Sequence, residues 1–314
     1  MKILSSFRDL AEIAPLAKAG ADEIYCAVGP LPSFKDRAAL RDIAALRRAV
    51  RTAHGLGLKL SVAVNSVILR FNPSKEARLL ELLAEADEAG TDNFIVASPA
   101  MFALFSKLKG LRARLHLSSV QPCFNSFTAA FFIRLGVSRI ILPNQLSPAE
   151  AAKILKLCRA SGVETEIFDY RFFGCTYVNG RCYLHRPDHY TLTAEYGGGS
   201  MCHPGLRSVV PAVLNADPEW KQRLAGITDQ FSARFARGTP PRIANPATFF
   251  DFLSAGVGYL KYGIRQDTGE EKVRKVKELR RMLDLAEELS RSLPRAQARR
   301  RFIESMSHWS DRAL

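Results

Sequence analysis

The chain has 314 residues, a formal net charge of +14, 47% hydrophobic residues and six cysteines. That length suits one large α/β domain, and the apolar fraction is enough to build its core. No stretch approaches the ~20 apolar residues of a membrane span, and the opening Met1 to Asp9 lacks the apolar run of a secretory signal. A cytoplasmic protein with reduced thiols is therefore expected.

Five phrases share one pattern: "AGADEIYCAV" (19–28), "AGTDNFIVAS" (89–98), "LGVSRIILPN" (135–144), "SGVETEIFDY" (161–170) and "AGVGYLKYGI" (255–264). In each, a glycine ends an amphipathic helical stretch and a β-branched or aromatic run follows, which marks a recurring helix-to-strand junction. Further strand-like runs occur at Lys2 to Ser5, Lys59 to Asn65 and Arg114 to Val120, and Ser74 to Ala89 has helical leucine spacing. Together these predict eight strands alternating with helices, an α/β chain of the TIM-like (β/α)₈ type rather than an open doubly wound sheet. The interval between the seventh strand, near 163–169, and the eighth, near 257–262, is too long for one crossover. An insertion at about 170–255 is expected there within a single 1–314 domain, followed by a basic helical C-terminal segment at about 268–314.

That insertion opens on "CTYVNGRC", residues 175–182, directly after a strand end, where barrel active sites are assembled. Cys202, in "GGGSMCHPG", belongs to the same insertion, behind three glycines that let the backbone approach a bound group. Cys26 lies near the end of the second strand and Cys123 just past the fifth, so the barrel mouth can collect five thiols. Cys158 falls on the buried face of a helix and reads as a small core hydrophobe. Soft thiolates select zinc or an iron–sulfur cluster. Six residues between Cys175 and Cys182 exceed the two to four usual in structural zinc knuckles, which favours a cluster, with an unligated thiol pair as the alternative.

The C-terminal runs Lys272 to Arg281 and Arg291 to Arg301 are interleaved with acids at helical spacing, which fits a solvated helix face as well as an RNA-binding one. In "LKYGIR", Lys261 and Arg265 end the last strand. They are expected to hold an anionic substrate group, unless Lys261 or Arg265 pairs with a barrel carboxylate such as Glu166. His185, His189 and His203 fall in no recognisable hydrolase motif, and no His-Glu-x-x-His sequence is present.

"VETEIF" followed by "CTYVNGRCYL" resembles the signature of the peptidase U32 family. "GADEIY", "HLSSVQPCFNS", "LGVSRIILPNQLS" and "AGVGYLKYGIR" resemble that family's blocks in order. The resemblance implies a role in hydroxylation, most directly of a nucleobase in tRNA or rRNA. Oxygen-independent hydroxylation of the ubiquinone ring, with a homologous partner chain, and a collagenase-like peptidase are the alternatives. It also implies a [4Fe-4S] cluster on Cys175, Cys182 and Cys202. Family members often carry a fourth cysteine where Leu206 stands here, so the fourth ligand is expected to be Cys123, with Cys26, His203 or an open iron as alternatives.

Overall fold

The computed structural model describes residues 1–33, 39–66, 73–144, 146–169, 246–263, 265 and 267–310, with residue 219 alone between 170 and 245. Eight parallel strands close into a barrel: β1 (Lys2–Ser6), β2 (Glu23–Val28), β3 (Lys59–Val64), β4 (Asn93–Val96), β5 (Arg114–Leu117), β6 (Val137–Ile141), β7 (Glu164–Phe168) and β8 (Tyr259–Tyr262). Each strand pairs with its sequence neighbour, and β1 pairs with both β2 (Leu4↔Glu23) and β8 (Lys2↔Tyr259), which leaves no open edge. The doubly wound alternative is thereby excluded. A two-residue strand at Ala39–Leu40, unforeseen in the sequence, extends one side through Ala27 and Val28.

The outer layer consists of α1 (Ile13–Lys18), α2 (Ile43–Gly55), α3 (Pro73–Glu88), α4 (Pro99–Phe105), α5 (Ser126–Arg134), α6 (Pro148–Ala160), α7 (Pro246–Ser254) and α8 (Gly269–Ser292), one after each strand. A further helix, α9 (Arg295–Ser310), packs on α7 and α8. Because α7 is the regular crossover helix into β8, the chain rejoins the barrel at Pro246, inside the interval read from sequence as inserted.

Among the described residues seven glycines have a positive φ: Gly20, Gly57, Gly90, Gly110, Gly136, Gly162 and Gly256. They occupy the seven junctions from α1–β2 through α7–β8. Residues with a Cβ resist this left-handed turn, so glycine lets the chain reverse between each helix and the strand that follows. Helix starts are specified as locally. Asp42 and Asn125 accept backbone N–H bonds from Ala45 and Thr128, and Ser147/Glu150 and Thr268/Glu271 form reciprocal capping boxes.

The strands are buried on both faces, as expected of parallel strands sheathed by helices. Outward-facing Ile24, Cys26, Leu60, Val62, Phe94, Ile140, Ile167 and Leu260 join the helices in one continuous apolar layer. Inside the barrel a smaller cluster of Leu4, Tyr25, Ile95 and Ile141 is flanked by Phe168.

Three cations of the C-terminal basic run serve this architecture. Lys272 is buried against Glu12 (2.8 Å), Arg280 binds the Gly20 carbonyl and Asp22, and Arg299 makes a bidentate pair with Asp251 at 2.9 and 3.0 Å. Phe302 packs on Phe249 and Phe250, which fixes α9 to α7. No described helix is long and apolar enough to cross a membrane.

Candidate functional site at the barrel mouth

The barrel interior is layered by the two-residue strand period. Glu23, Asn93, Arg139 and Glu166 form a polar layer. The residues two positions further on, Tyr25, Ile95, Ile141 and Phe168, form an apolar layer closer to the C-terminal ends of the strands.

Arg139 of β6 organises the polar layer. It reaches across the lumen to Glu23 of β2, donating Nη2–H to Oε2 at 2.9 Å and Nη1–H to Oε1 at 3.1 Å. It also donates to Glu166 Oε2 and Glu164 Oε2, both at 3.1 Å, while its guanidinium carbon lies 3.3 Å from the centroid of the Tyr259 ring. Ser61 donates to Glu23 Oε1 at 2.5 Å, and Asn93 donates to Ser61 Oγ at 3.0 Å. Burial raises the pKa of Glu23 against the opposing pull of Arg139. Burial likewise opposes the charge on Arg139, but Glu23 and Glu166 outweigh it and move its pKa up. For Glu164 the cations Arg139 and Arg114 prevail over burial and lower the pKa.

His116 of β5 faces this lumen from beside Arg139 and is fully buried, with neither ring nitrogen hydrogen-bonded. Burial, and then the charges of Arg139, Arg114, Lys261 and Lys59, hold it well below the ordinary histidine pKa, so it is neutral.

Above the polar layer, Lys261 bridges to the mouth. Its Nζ is 3.3 Å from Glu166 Oε1 and 4.0 Å from the Tyr25 ring centroid. The alternative raised by the sequence, an ion pair with Glu166, is thus present for Lys261, which is 5% exposed. Arg265 lies beyond the end of β8, half-buried, with its guanidinium carbon 5.2 Å from the same Tyr25 ring. Tyr25 therefore has two cations at its face, and its hydroxyl donates to the Gly263 carbonyl at 3.4 Å. Gly263 has no side chain for a packing reason: a Cβ there would stand 2.8 Å from the Phe168 ring. Asn65 donates to Ser118 Oγ at 3.1 Å and ties the ends of β3 and β5 across the same mouth. Sequence reasoning singled out Lys261, Arg265 and Glu166 but missed Arg139, Glu23 and Tyr25. The signal for Arg139 and Glu23 was a charge directly before isoleucine in "SRII" and "DEIY", in strands otherwise built for burial.

Cys175, Cys182, Cys202 and His203 lie outside the described residues. Cys26 alternates with inward-facing Tyr25 and packs toward the helices. Cys123 is fully buried in the same apolar layer, its Sγ 3.9 Å from the Asn125 carbonyl. Burial, with a smaller contribution from Cys158, pushes the Cys123 thiol up to about 12, and burial pushes Cys158 up to about 11. These surroundings suit neutral thiols packed as small hydrophobes. They do not support Cys26 or Cys123 as a thiolate ligand. Among the described residues no group of three or more His, Cys, Asp or Glu side chains fits a metal ion.

A sequence profile of peptidase family U32 matches residues 8–190, more than half of the chain. The chain belongs to this family. Among curated relatives, the "tRNA hydroxylation protein P" of Helicobacter pylori is 29% identical over 186 residues, 59% of this chain and 42% of that one. Its Escherichia coli counterpart is 29% identical over 165 residues, 52% and 35% of the two chains. The "tRNA hydroxylation protein P2" of Bacillus subtilis is 31% identical over 162 residues, 50% and 48%. This chain thus spans less than half the length of these relatives. A solved U32 peptidase is 16% identical with a TM-score of 0.43, covering 54% of this chain and 68% of the other.

Proposed function

We propose that this U32 protein acts in the cytoplasm in the hydroxylation of a nucleobase in tRNA, with a [4Fe-4S] cluster held by Cys175, Cys182 and Cys202. The observation that carries the reading is the similarity to relatives named for tRNA hydroxylation in the U32-matched part of the chain. The match extends past Cys175 and Cys182, and the net charge of +14 suits a polyanionic substrate. Arg265, at the mouth beside Tyr25, is the side chain best placed to meet an anionic group entering the barrel, since a guanidinium binds phosphate in bidentate fashion. Such a cluster supplies electron transfer or Lewis-acid chemistry when bound.

The test compares hydroxylated nucleosides in total tRNA, by mass spectrometry, between wild-type and deletion strains. Loss of one hydroxylated nucleoside, restored by the wild-type gene, is the expected result. Unchanged tRNA with depleted quinone would move the protein to ring hydroxylation instead. In parallel, anaerobically purified protein should carry about four irons per chain. Zinc alone, or iron unaffected by Cys175→Ser, would overturn the cluster.

A further inference from the structure

Three cations of the basic C-terminal run, Lys272, Arg280 and Arg299, are engaged in docking helices, and most of the others are exposed along α8 and α9. A different face combines the required features. Of the five exposed large hydrophobic side chains among the described residues, four lie on or beside α5: Phe124, Phe127, Phe131 and Leu135, with Phe127 87% exposed. Phe127, Phe131 and Arg134 are spaced i, i+4, i+7 and share one strip of the helix. The strip is pre-set by packing beneath it. Phe131 stands edge-on to buried Phe132, with centroids 5.0 Å apart, and Phe132 meets Phe102 at 5.5 Å.

The charge around this strip is one-sided. Between Ala113 and Val163 the sequence contains a single carboxylate, Glu150, and the Ser147 capping box occupies it. Arg134, and Lys153 and Lys156 on the adjoining α6, are exposed. A symmetric contact of this face with itself in a second copy would bring like charges together. Single-stranded nucleic acid, with flat bases and anionic phosphates, matches both features. The two rings are four residues apart, about 6 Å along the helix axis. That exceeds the ~3.4 Å repeat of a stacked strand, so the rings would take splayed, unpaired bases. The face begins directly beyond the C-terminal end of β5, at the same end of the barrel as Lys261 and Arg265.

We infer that the α5–α6 face binds single-stranded RNA, with bases stacking on Phe127 and Phe131 and phosphates meeting Arg134, Lys153 and Lys156. This takes its ligand class from the proposed function and adds the surface. The test uses the full chain and a fluorescent single-stranded oligoribonucleotide of about 12 nucleotides, read by anisotropy. Phe127→Ala should weaken binding by about fivefold to a hundredfold, with an unchanged circular dichroism spectrum because that ring is almost wholly exposed. Lys153→Gln combined with Lys156→Gln should flatten the plot of log affinity against log salt by about 0.7 for each phosphate that is no longer neutralised. Unaltered affinity of Phe127→Ala would overturn the inference. So would a wild-type dimer that Phe127→Ala dissociates while RNA binding persists, since the face would then serve self-association. The two proposals fail separately. Phe127-dependent RNA binding with unchanged tRNA nucleosides in the deletion strain sinks the reaction alone. Lost nucleosides restored by a Phe127→Ala protein of normal RNA affinity sink the surface alone.

Discussion

Removing Arg139 tests whether the buried polar layer holds the barrel together as an ion network. Arg139→Met keeps most of the side-chain volume and deletes the cation. Glu23 would lose both of its guanidinium bonds, and among the described residues Glu166 would keep only Lys261 at 3.3 Å. Arg139 and Glu23 are each 1% exposed, so water cannot replace what is removed. Stranding a buried carboxylate in this way costs about 3–5 kcal/mol, on the order of a 10 °C fall in the thermal midpoint. The pH dependence carries a definite sign. The folded pKa of Glu23 is already raised above 4.5 by burial and would rise further without Arg139. A raised folded pKa gives stability that is present below the unfolded value and lost as pH rises through the folded value. The deficit of Arg139→Met should therefore be largest near neutrality and shrink as pH falls toward 4.5. Adding Glu23→Gln should recover part of it, and a double-mutant cycle at pH 7 followed by thermal unfolding reads the coupling. A loss below about 1 kcal/mol, or no recovery in the double variant, would refute this account of the network.

Gly256→Ala should cost about 1–2 kcal/mol, because φ is +82° and the new Cβ would meet Arg159 Nη2 at 3.1 Å. Gly55→Ala, with nothing within 4 Å of its Cβ, should be neutral or stabilising, and thermal midpoints separate the two. His116 has a folded pKa below its unfolded value, so the unfolded chain takes up the extra proton and stability falls as pH drops below 6.5. His116→Gln should remove up to about 1.4 kcal/mol per pH unit from that acid limb of the stability curve. At pH 8 the Cys123 and Cys158 thiolates should be populated on the order of 10⁻⁴ and 10⁻³, so alkylation mapped by mass spectrometry should reach them only on unfolding.

The barrel was legible because its instructions are local. Five of the seven junction glycines stand in phrases where alanine, threonine or valine follows the glycine and a β-branched or aromatic run begins within a few residues. Gly57 and Gly110 escaped notice because leucine follows each, in "GLKL" and "GLRARL", and blurs the boundary between helix and strand. The polar layer was illegible for the opposite reason. Glu23 and Arg139 are 116 residues apart, and nothing local says that β2 and β6 face each other across a lumen. The fate of the C-terminal cations was equally non-local. Lys272 finds Glu12 at a separation of 260 residues, so a run that reads as free surface charge turns out to dock α8 against the start of the chain. Cys26 obeyed strand alternation, which the sequence does state. Cys123 did not declare its burial, because it lies in a loop where no period applies.

The division of labour along the barrel axis bears on where chemistry can occur. In and just above the polar layer, Glu23, Glu164 and Glu166 face Arg114, Arg139 and Lys261, three carboxylates against three cations among the described residues. Burial and these mutual bonds fix the groups in one arrangement, which suits rigidity better than proton exchange with a substrate. Tyr25 and Ile141 lie one pleat above and separate this layer from the mouth. The exception is Lys261, which touches both sides: Glu166 below it and the Tyr25 ring beside it, with Arg265 on that same ring. An anion arriving at Arg265 would meet two cations on the Tyr25 ring, one of which, Lys261, already holds Glu166, so binding there would compete with that ion pair.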